Sequence, residues 1–153
     1  MEQKKVVTVH RLHSEVTLPR YATDGAAGMD VRADIQNSIW LEPGMRVLVP
    51  TGLQVIIPPG YEIQVRPRGG NALKRGLTVL NTPRTVDSDY RGEIGVIMVN
   101  HGQAPETIEP GDRVAQLVLC PVAKAIWYEI NEDVGKVSAT GRGDGAYSST
   151  GTT

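Results

Sequence analysis

"YEIQVRPR", residues 61–68, follows the breaker "PPG" and sets Ile63 and Val65 in alternation with Glu62, Gln64 and Arg66. Alternation at period two puts the apolar side chains on one face and the polar ones on the other, the pattern of a half-buried strand. Read outward from there, the chain repeats the theme. "KVVTVHRL" (5–12), "LTVLN" (77–81), "EIGVIMVN" (93–100), "RVAQLVLCPV" (113–122) and "AIWYEI" (125–130) are each a short apolar or alternating run. "MRVLVP" (45–50) and "LQVII" (53–57) flank a "TG" that reads as a turn. Many short strands between Pro and Gly punctuation predict an all-β sandwich or barrel. "GNALKRG" (70–76) is the one fair helix, with a glycine past its end. From Val134 the composition turns to Gly, Ser and Thr, predicting a β domain over 1–133 and a flexible arm over 134–153.

At 153 residues the chain has the length of one domain, which buries roughly two-thirds of its unfolded surface. Sixteen Lys and Arg against 17 Asp and Glu give a net charge of −1, a poor basis for non-specific binding to nucleic acid or an anionic membrane. Phosphate chemistry would need a local cluster of arginines. Cys120 is the single cysteine and reads as a small buried hydrophobe in a reducing compartment. "MEQKKVVTVH" has no signal-like apolar core, and no run approaches spanning length, so a cytoplasmic location is expected. There is no phenylalanine, and only 5% of residues are aromatic. So thin a supply hints that some apolar surface is covered between subunits.

Polar clusters interrupt the β pattern at 27–34, 66–76, 81–93, 110–117 and 141–151. Singly they are ordinary: "PGD" before a strand is a turn, and the RGD of "GRGDG" says little in a chain without disulfides. "TVDSDYRGE" (85–93) carries two acids two apart, Asp87 and Asp89, suited to a metal, a proton transfer or a turn. His10, His13 and His101 are scattered without ligand spacing and read as structural or surface residues.

Taken together and in order, these clusters resemble the trimeric dUTP diphosphatases from about Val16 to Gly151. The likeness rests on "DGAAGMDVRAD", "LEPGMRVLVPTGL", "PPGYEIQVRPR", "GLTVLNTP", "VDSDYRGEIGVIMVN", "GDRVAQLVL" and the "RG…STG" arm. It implies a jelly-roll-like β-barrel subunit (a β-clip) and a homotrimer whose sites are shared between chains. It also implies hydrolysis of dUTP to dUMP and diphosphate with Mg²⁺. By resemblance Asp87 is the general base, and Tyr90 packs on the sugar and excludes a 2′-hydroxyl. Asn81 and the hairpin through Met98 to Asn100 read the uracil edges. Arg68, with Gly69 and Gly70 of its loop, and Gln116 handle phosphate and water. Asp30 and Asp34 touch the metal's water shell, with no direct protein ligand to the metal. Arg142, Ser149 and Thr150 clamp the outer phosphates, and Tyr147 stacks on the base.

The same residues have plainer readings. Asp89 suits a turn, because a second ionised carboxylate would hinder the first as a base. Arg91 and Glu93 suit a structural pair, and Asp112 with Arg113 a turn or a subunit contact. Trp40 and Trp127 suit core or interface packing.

Three departures fall inside the second and third motifs. Gly69 stands where the family has a phosphate-binding serine, Asn71 where it has an apolar residue, and Arg84 where it has glycine. Loss of one preorganised donor costs on the order of 10²-fold in rate. An arginine at 84 would be strained if that backbone were left-handed, and its side chain would obstruct the pocket or pair with Asp87. Weakened dUTPase activity is therefore expected. A non-catalytic or repurposed trimeric scaffold is the alternative. A dCTP deaminase would need a glutamate base and a different arginine-serine loop.

Overall fold

The computed structural model describes residues 4–146. The chain divides into two compact units, one ending at Ala123 and one beginning at Lys124. The first unit is built from β1 (Thr8–Arg11), β2 (Met29–Arg32), β3 (Ile39–Leu41), β4 (Arg46–Ile56), β5 (Tyr61–Arg66), α1 (Gly69–Arg75), β6 (Leu77–Val79), β7 (Arg84–Val86), β8 (Glu93–Asn100), β9 (Glu106–Ile108) and β10 (Arg113–Pro121). One sheet has the order β1-β4-β8-β6, a second β2-β10-β5-β7, and β3 pairs with β9. Every strand pairing in these sheets is antiparallel, as an all-β jelly-roll-like subunit requires.

In β5 and through the first six residues of β8 the buried residues alternate with less buried ones. Ile63 and Val65 of β5, Val96 and Met98 of β8, and Ala115 and Leu117 of β10 are all buried in one core cluster with Val31, Val49 and Leu53. Valine and isoleucine suit such half-buried pleated surfaces because their branched side chains pack across the pleat. Among the described residues, no helix is long and apolar enough to cross a membrane.

Two sequence expectations give way. "TG" is not a turn: β4 runs straight through it, and its pairing with β8 shifts between Pro50 and Gln54. Gly52 has φ +68°, a left-handed value that glycine takes without a Cβ clash, and it forms the bulge. Its amide donates to Glu93 Oε1 at 2.7 Å, and its carbonyl accepts from the Leu12 amide at 2.9 Å. The bulge lets one long strand pair with β8 along its length and with β1 at its C-terminal end.

"AIWYEI" is not a strand. Its residues pair with no sheet, and Ile126, Trp127 and Tyr128 are 95%, 94% and 89% exposed. An apolar run declares that it needs a covering surface but not where that surface is. Trp40 is also outside the core; its indole N–H donates to Glu42 Oε1 at 2.7 Å. In the second unit a single helical turn, α2 (Val134–Val137), begins at Asp133, whose carboxylate accepts from the Gly135 amide at 2.8 Å.

Candidate active site

The residues singled out from the sequence fall into two groups within the first unit. The first lies where β2, β10 and β5 run side by side. Gln116 pairs in register with Asp30 on one side and with Arg66 on the other. Asp30 Oδ1 accepts from Arg68 Nε at 2.9 Å, and Arg113 Nη1 stands 3.6 Å from Oδ2. Gln116 Nε2 donates to the Pro67 carbonyl at 3.0 Å, which fixes the amide beside the loop that carries Arg68. A Cβ at Gly28 would lie 2.1 Å from Gln116 Oε1, so the placement of the Gln116 amide depends on glycine there.

The loop after β5 enters α1 at Arg68, the N-cap residue, which makes no side-chain capping bond. Gly69 and Gly70 face open space, with nothing within 4 Å of where a Cβ would stand. Asn71 does not pack as an apolar residue would. It is 9% exposed, and its Nδ2 donates to the Arg113 carbonyl at 2.9 Å, a bond that offsets the desolvation of a buried amide. Helix α1 ends at Gly76 with φ +64°, and the Gly76 amide returns to the Ala72 and Asn71 carbonyls.

Asp34 lies apart from Asp30 in its bonding. Both of its oxygens meet His13 Nε2, at 2.8 and 2.9 Å. Among the described residues, no group of three or more His, Cys, Asp or Glu converges as a metal cage.

The second group lies on the connection from β7 to β8, which passes from one sheet to the other. Asp87 follows β7 directly and is exposed, and its carboxylate has no hydrogen-bond or ionic partner among the described residues. The Tyr90 amide donates to the Asp87 carbonyl at 3.1 Å, which closes a turn with Ser88 and Asp89 at its tip. Asp89 therefore occupies the turn. Arg91 and Glu93 do not pair with each other: Arg91 Nη1 donates to the Ser88 and Tyr90 carbonyls at 2.7 and 2.9 Å, and Glu93 accepts from Gly52. The Tyr90 hydroxyl donates to the Glu93 carbonyl at 2.9 Å. Asn81 is exposed, on the turn after β6. Met98 is fully buried, with Val47 and Val79 as strand partners on its two sides, so its side chain supports β8 from the core.

Arg84 departs from two of the expectations raised for it, backbone strain and a pair with Asp87. It is an extended strand residue paired with Val65, so no left-handed strain arises. Its Nη1 donates to the Gly95 carbonyl at 2.7 Å, and its guanidinium carbon sits 5.7 Å from the centre of the Tyr90 ring. Neither contact involves Asp87.

The two groups stand at opposite ends of β5. Val86 pairs with Ile63 and Arg84 with Val65, so β7 delivers Asp87 towards the start of β5, whereas Arg68 lies beyond its end. From the level of Glu62 to Arg66 the strand spans about 13 Å, and Arg68 lies two loop residues further on. Sequence reading missed Arg113 as a second cation on Asp30 and Gly28 as the residue that admits Gln116. A glycine two before an aspartate was the only signal for the latter. Arg142 of the second unit donates to the Gly145 carbonyl at 2.8 Å. Tyr147, Ser149 and Thr150 lie outside the described residues.

The family model described as dUTPase matches residues 14–151. A deoxyuridine 5'-triphosphate nucleotidohydrolase of Anaeromyxobacter sp. (strain Fw109-5) is 52% identical over 147 residues, covering 96% of this chain and 96% of the relative. One of the same name from Desulfotalea psychrophila is 54% identical over 136 residues, covering 89% of this chain and 88% of the relative. Among solved structures, a variant dUTPase of Staphylococcus bacteriophage 80alpha with dUpNHpp superimposes with a TM-score of 0.84. It covers 97% of this chain and 99% of its own, at 22% identity, a likeness of fold.

Proposed function

This chain belongs to the dUTPase family, and we propose on that ground that it is a dUTP diphosphatase, hydrolysing dUTP to dUMP and diphosphate. Asp87 is the general base. Its carboxylate is exposed and unpartnered, with its lone pairs free to take a proton from water. The oxygen of that water attacks the α-phosphorus, the bond from the α-phosphorus to the bridging oxygen breaks, and diphosphate departs with the bridging electrons. Tyr90 is the sugar gate, and Asn81 presents its amide to uracil. Arg68 and Gln116 meet the phosphate and the water. The cation is Mg²⁺ and arrives as the Mg²⁺–dUTP complex, a reading in keeping with a first group whose Asp30 is already flanked by two guanidinium groups. Asp30 and Asp34 contribute to its water shell.

The working unit is a homotrimer with shared sites. The observation that carries this is the separation along β5. A base acts within hydrogen-bond reach of its proton, about 3 Å, whereas the strand from the level of Asp87 to the end of β5 is alone about 13 Å, and Arg68 lies beyond it. A second copy bringing its own first group against the turn that carries Asp87 closes that gap. The exposed Ile126, Trp127 and Tyr128 supply apolar surface for such an assembly. The arm over 134–153 of one chain closes the site of a neighbouring chain, with Arg142, Ser149 and Thr150 on the outer phosphates and Tyr147 on the base.

Turnover is lowered by one feature, Gly69, which offers no hydroxyl to the phosphates. That feature also favours a second reading, a trimeric scaffold that binds nucleotide without hydrolysing it. Pyrophosphate release from dUTP with Mg²⁺ decides between them. Slow turnover that Asp87→Asn abolishes supports the enzyme. Tight binding of a non-hydrolysable analogue, with release no faster than in the Asp87→Asn variant, supports the scaffold.

A further inference from the structure

Tyr90 is bounded on three sides. Its hydroxyl is tied to the Glu93 carbonyl at 2.9 Å. The backbone at Gly92 passes so close that a Cβ there would lie 2.3 Å from the hydroxyl oxygen. The Arg84 guanidinium carbon stands 5.7 Å from the ring centre, within the range of a cation–π contact. Arg84 is itself anchored, because Nη1 donates to the Gly95 carbonyl at 2.7 Å and the strand pairing to Val65 sets its backbone. The hydroxyl and the Gly92 contact restrain the tip of the ring, whereas Arg84 reaches over its face from β7. A planar guanidinium held at one end fits this duty better than an ammonium, which is a point charge on a flexible stem.

We propose that Arg84 is a specificity-determining, positioning residue of this chain: it holds the Tyr90 ring in place and so sharpens the choice of deoxyribose over ribose nucleotides. The proposal rests on the reading of Tyr90 as the sugar gate. A ring that can swing leaves room for a 2′-hydroxyl; a ring fixed at its tip and under a cation does not. Arg84 acts through Tyr90 and not on the phosphates, so its effect falls on the dUTP-to-UTP preference.

The test compares dissociation constants, by calorimetry with Mg²⁺, for the α,β-imido analogues of dUTP and UTP, which removes any dependence on turnover. The proteins are the natural chain, Arg84→Gln, Arg84→Lys, Tyr90→Ala and the Arg84→Gln/Tyr90→Ala double variant, each checked by thermal melting. The expected result is a drop in the dUTP preference of about two- to fivefold for Arg84→Gln, from loss of the cation over the ring. Arg84→Lys should keep more of the preference than Arg84→Gln, Tyr90→Ala should lower it further, and Arg84→Gln should add nothing in the Tyr90→Ala background. If Arg84→Gln melts early, Arg84→Met, which keeps the stem without the charge, gives the same comparison. An unchanged preference in Arg84→Gln with a lowered one in Tyr90→Ala overturns the role of Arg84 and leaves the gate standing. Equal losses with and without Tyr90 also overturn it, since Arg84 would then act independently. An unchanged preference in Tyr90→Ala removes the gate itself, and failure of the natural chain to bind the dUTP analogue removes the dUTP reading.

Discussion

The patch around Asp30 and the turn around Asp87 carry charge in opposite ways. Asp30 lies between Arg68 and Arg113, and Gln116 is bonded to the Pro67 carbonyl, so the patch is wired before any ligand arrives. Asp87 faces water with no partner among the described residues, on a turn held by its own backbone. A binding surface gains from preorganisation, because donors already aimed at developing charge need no rearrangement. A base gains from being unpaired, because an ion pair would hold its lone pairs. The contrast matches a division of labour between anion binding and proton transfer, and the length of β5 keeps the two duties apart in one chain.

The largest effect should come from the unpaired side. Asp87→Asn should lower pyrophosphate release by about 10²- to 10⁴-fold while leaving analogue binding and the melting temperature close to unchanged. Mixing Asp87→Asn chains with Arg68→Ala chains, after unfolding and refolding together, should recover activity that neither variant shows alone. No recovery at any ratio would place a complete site within one chain.

The wired side predicts a gain. Gly69→Ser has room for its side chain and should raise turnover, by up to about 10²-fold if the hydroxyl reaches the phosphates. A stable Gly69→Ser variant with unchanged turnover would break the link between the missing hydroxyl and slow chemistry. Gly28→Ala should act in the other direction. Its Cβ would displace the Gln116 amide, and a misplaced polar group costs about tenfold or more in kcat/KM. Steady-state kinetics with a normal melting curve would separate that from unfolding.

The smallest effect should be on stability. The Asp30–Arg68 pair is 36% and 27% exposed at its side chains, so Asp30→Asn should change unfolding free energy by under about 1 kcal/mol, read by denaturant titration. A much larger loss would show that the wiring holds the fold and not only the patch.

Most strands were legible because alternation is a local property. Ile63 and Val65 declare a buried face whatever they pack against, and the acids, arginines and amides of the site stand out by type and order. "TG" misled because a turn and a glycine bulge share their residues. Which one forms depends on whether β8 and β1 are there to pair with β4. Asn71 looked like a packing defect until the Arg113 carbonyl stood beside it, 42 residues away in sequence. Arg84 looked set to pair with Asp87, yet its side chain turns to Gly95 and Tyr90 instead.

By itself the sequence determined the class of fold and the family, since both are written in pattern and residue type. Tertiary structure decided which partner each charge takes, that Gly52 bends a strand and does not end it, and that Asp87 and Arg68 stand at opposite ends of β5. Those outcomes depend on distances between segments far apart in the chain. Such distances are set by strand register and sheet order, which no local run of residues encodes.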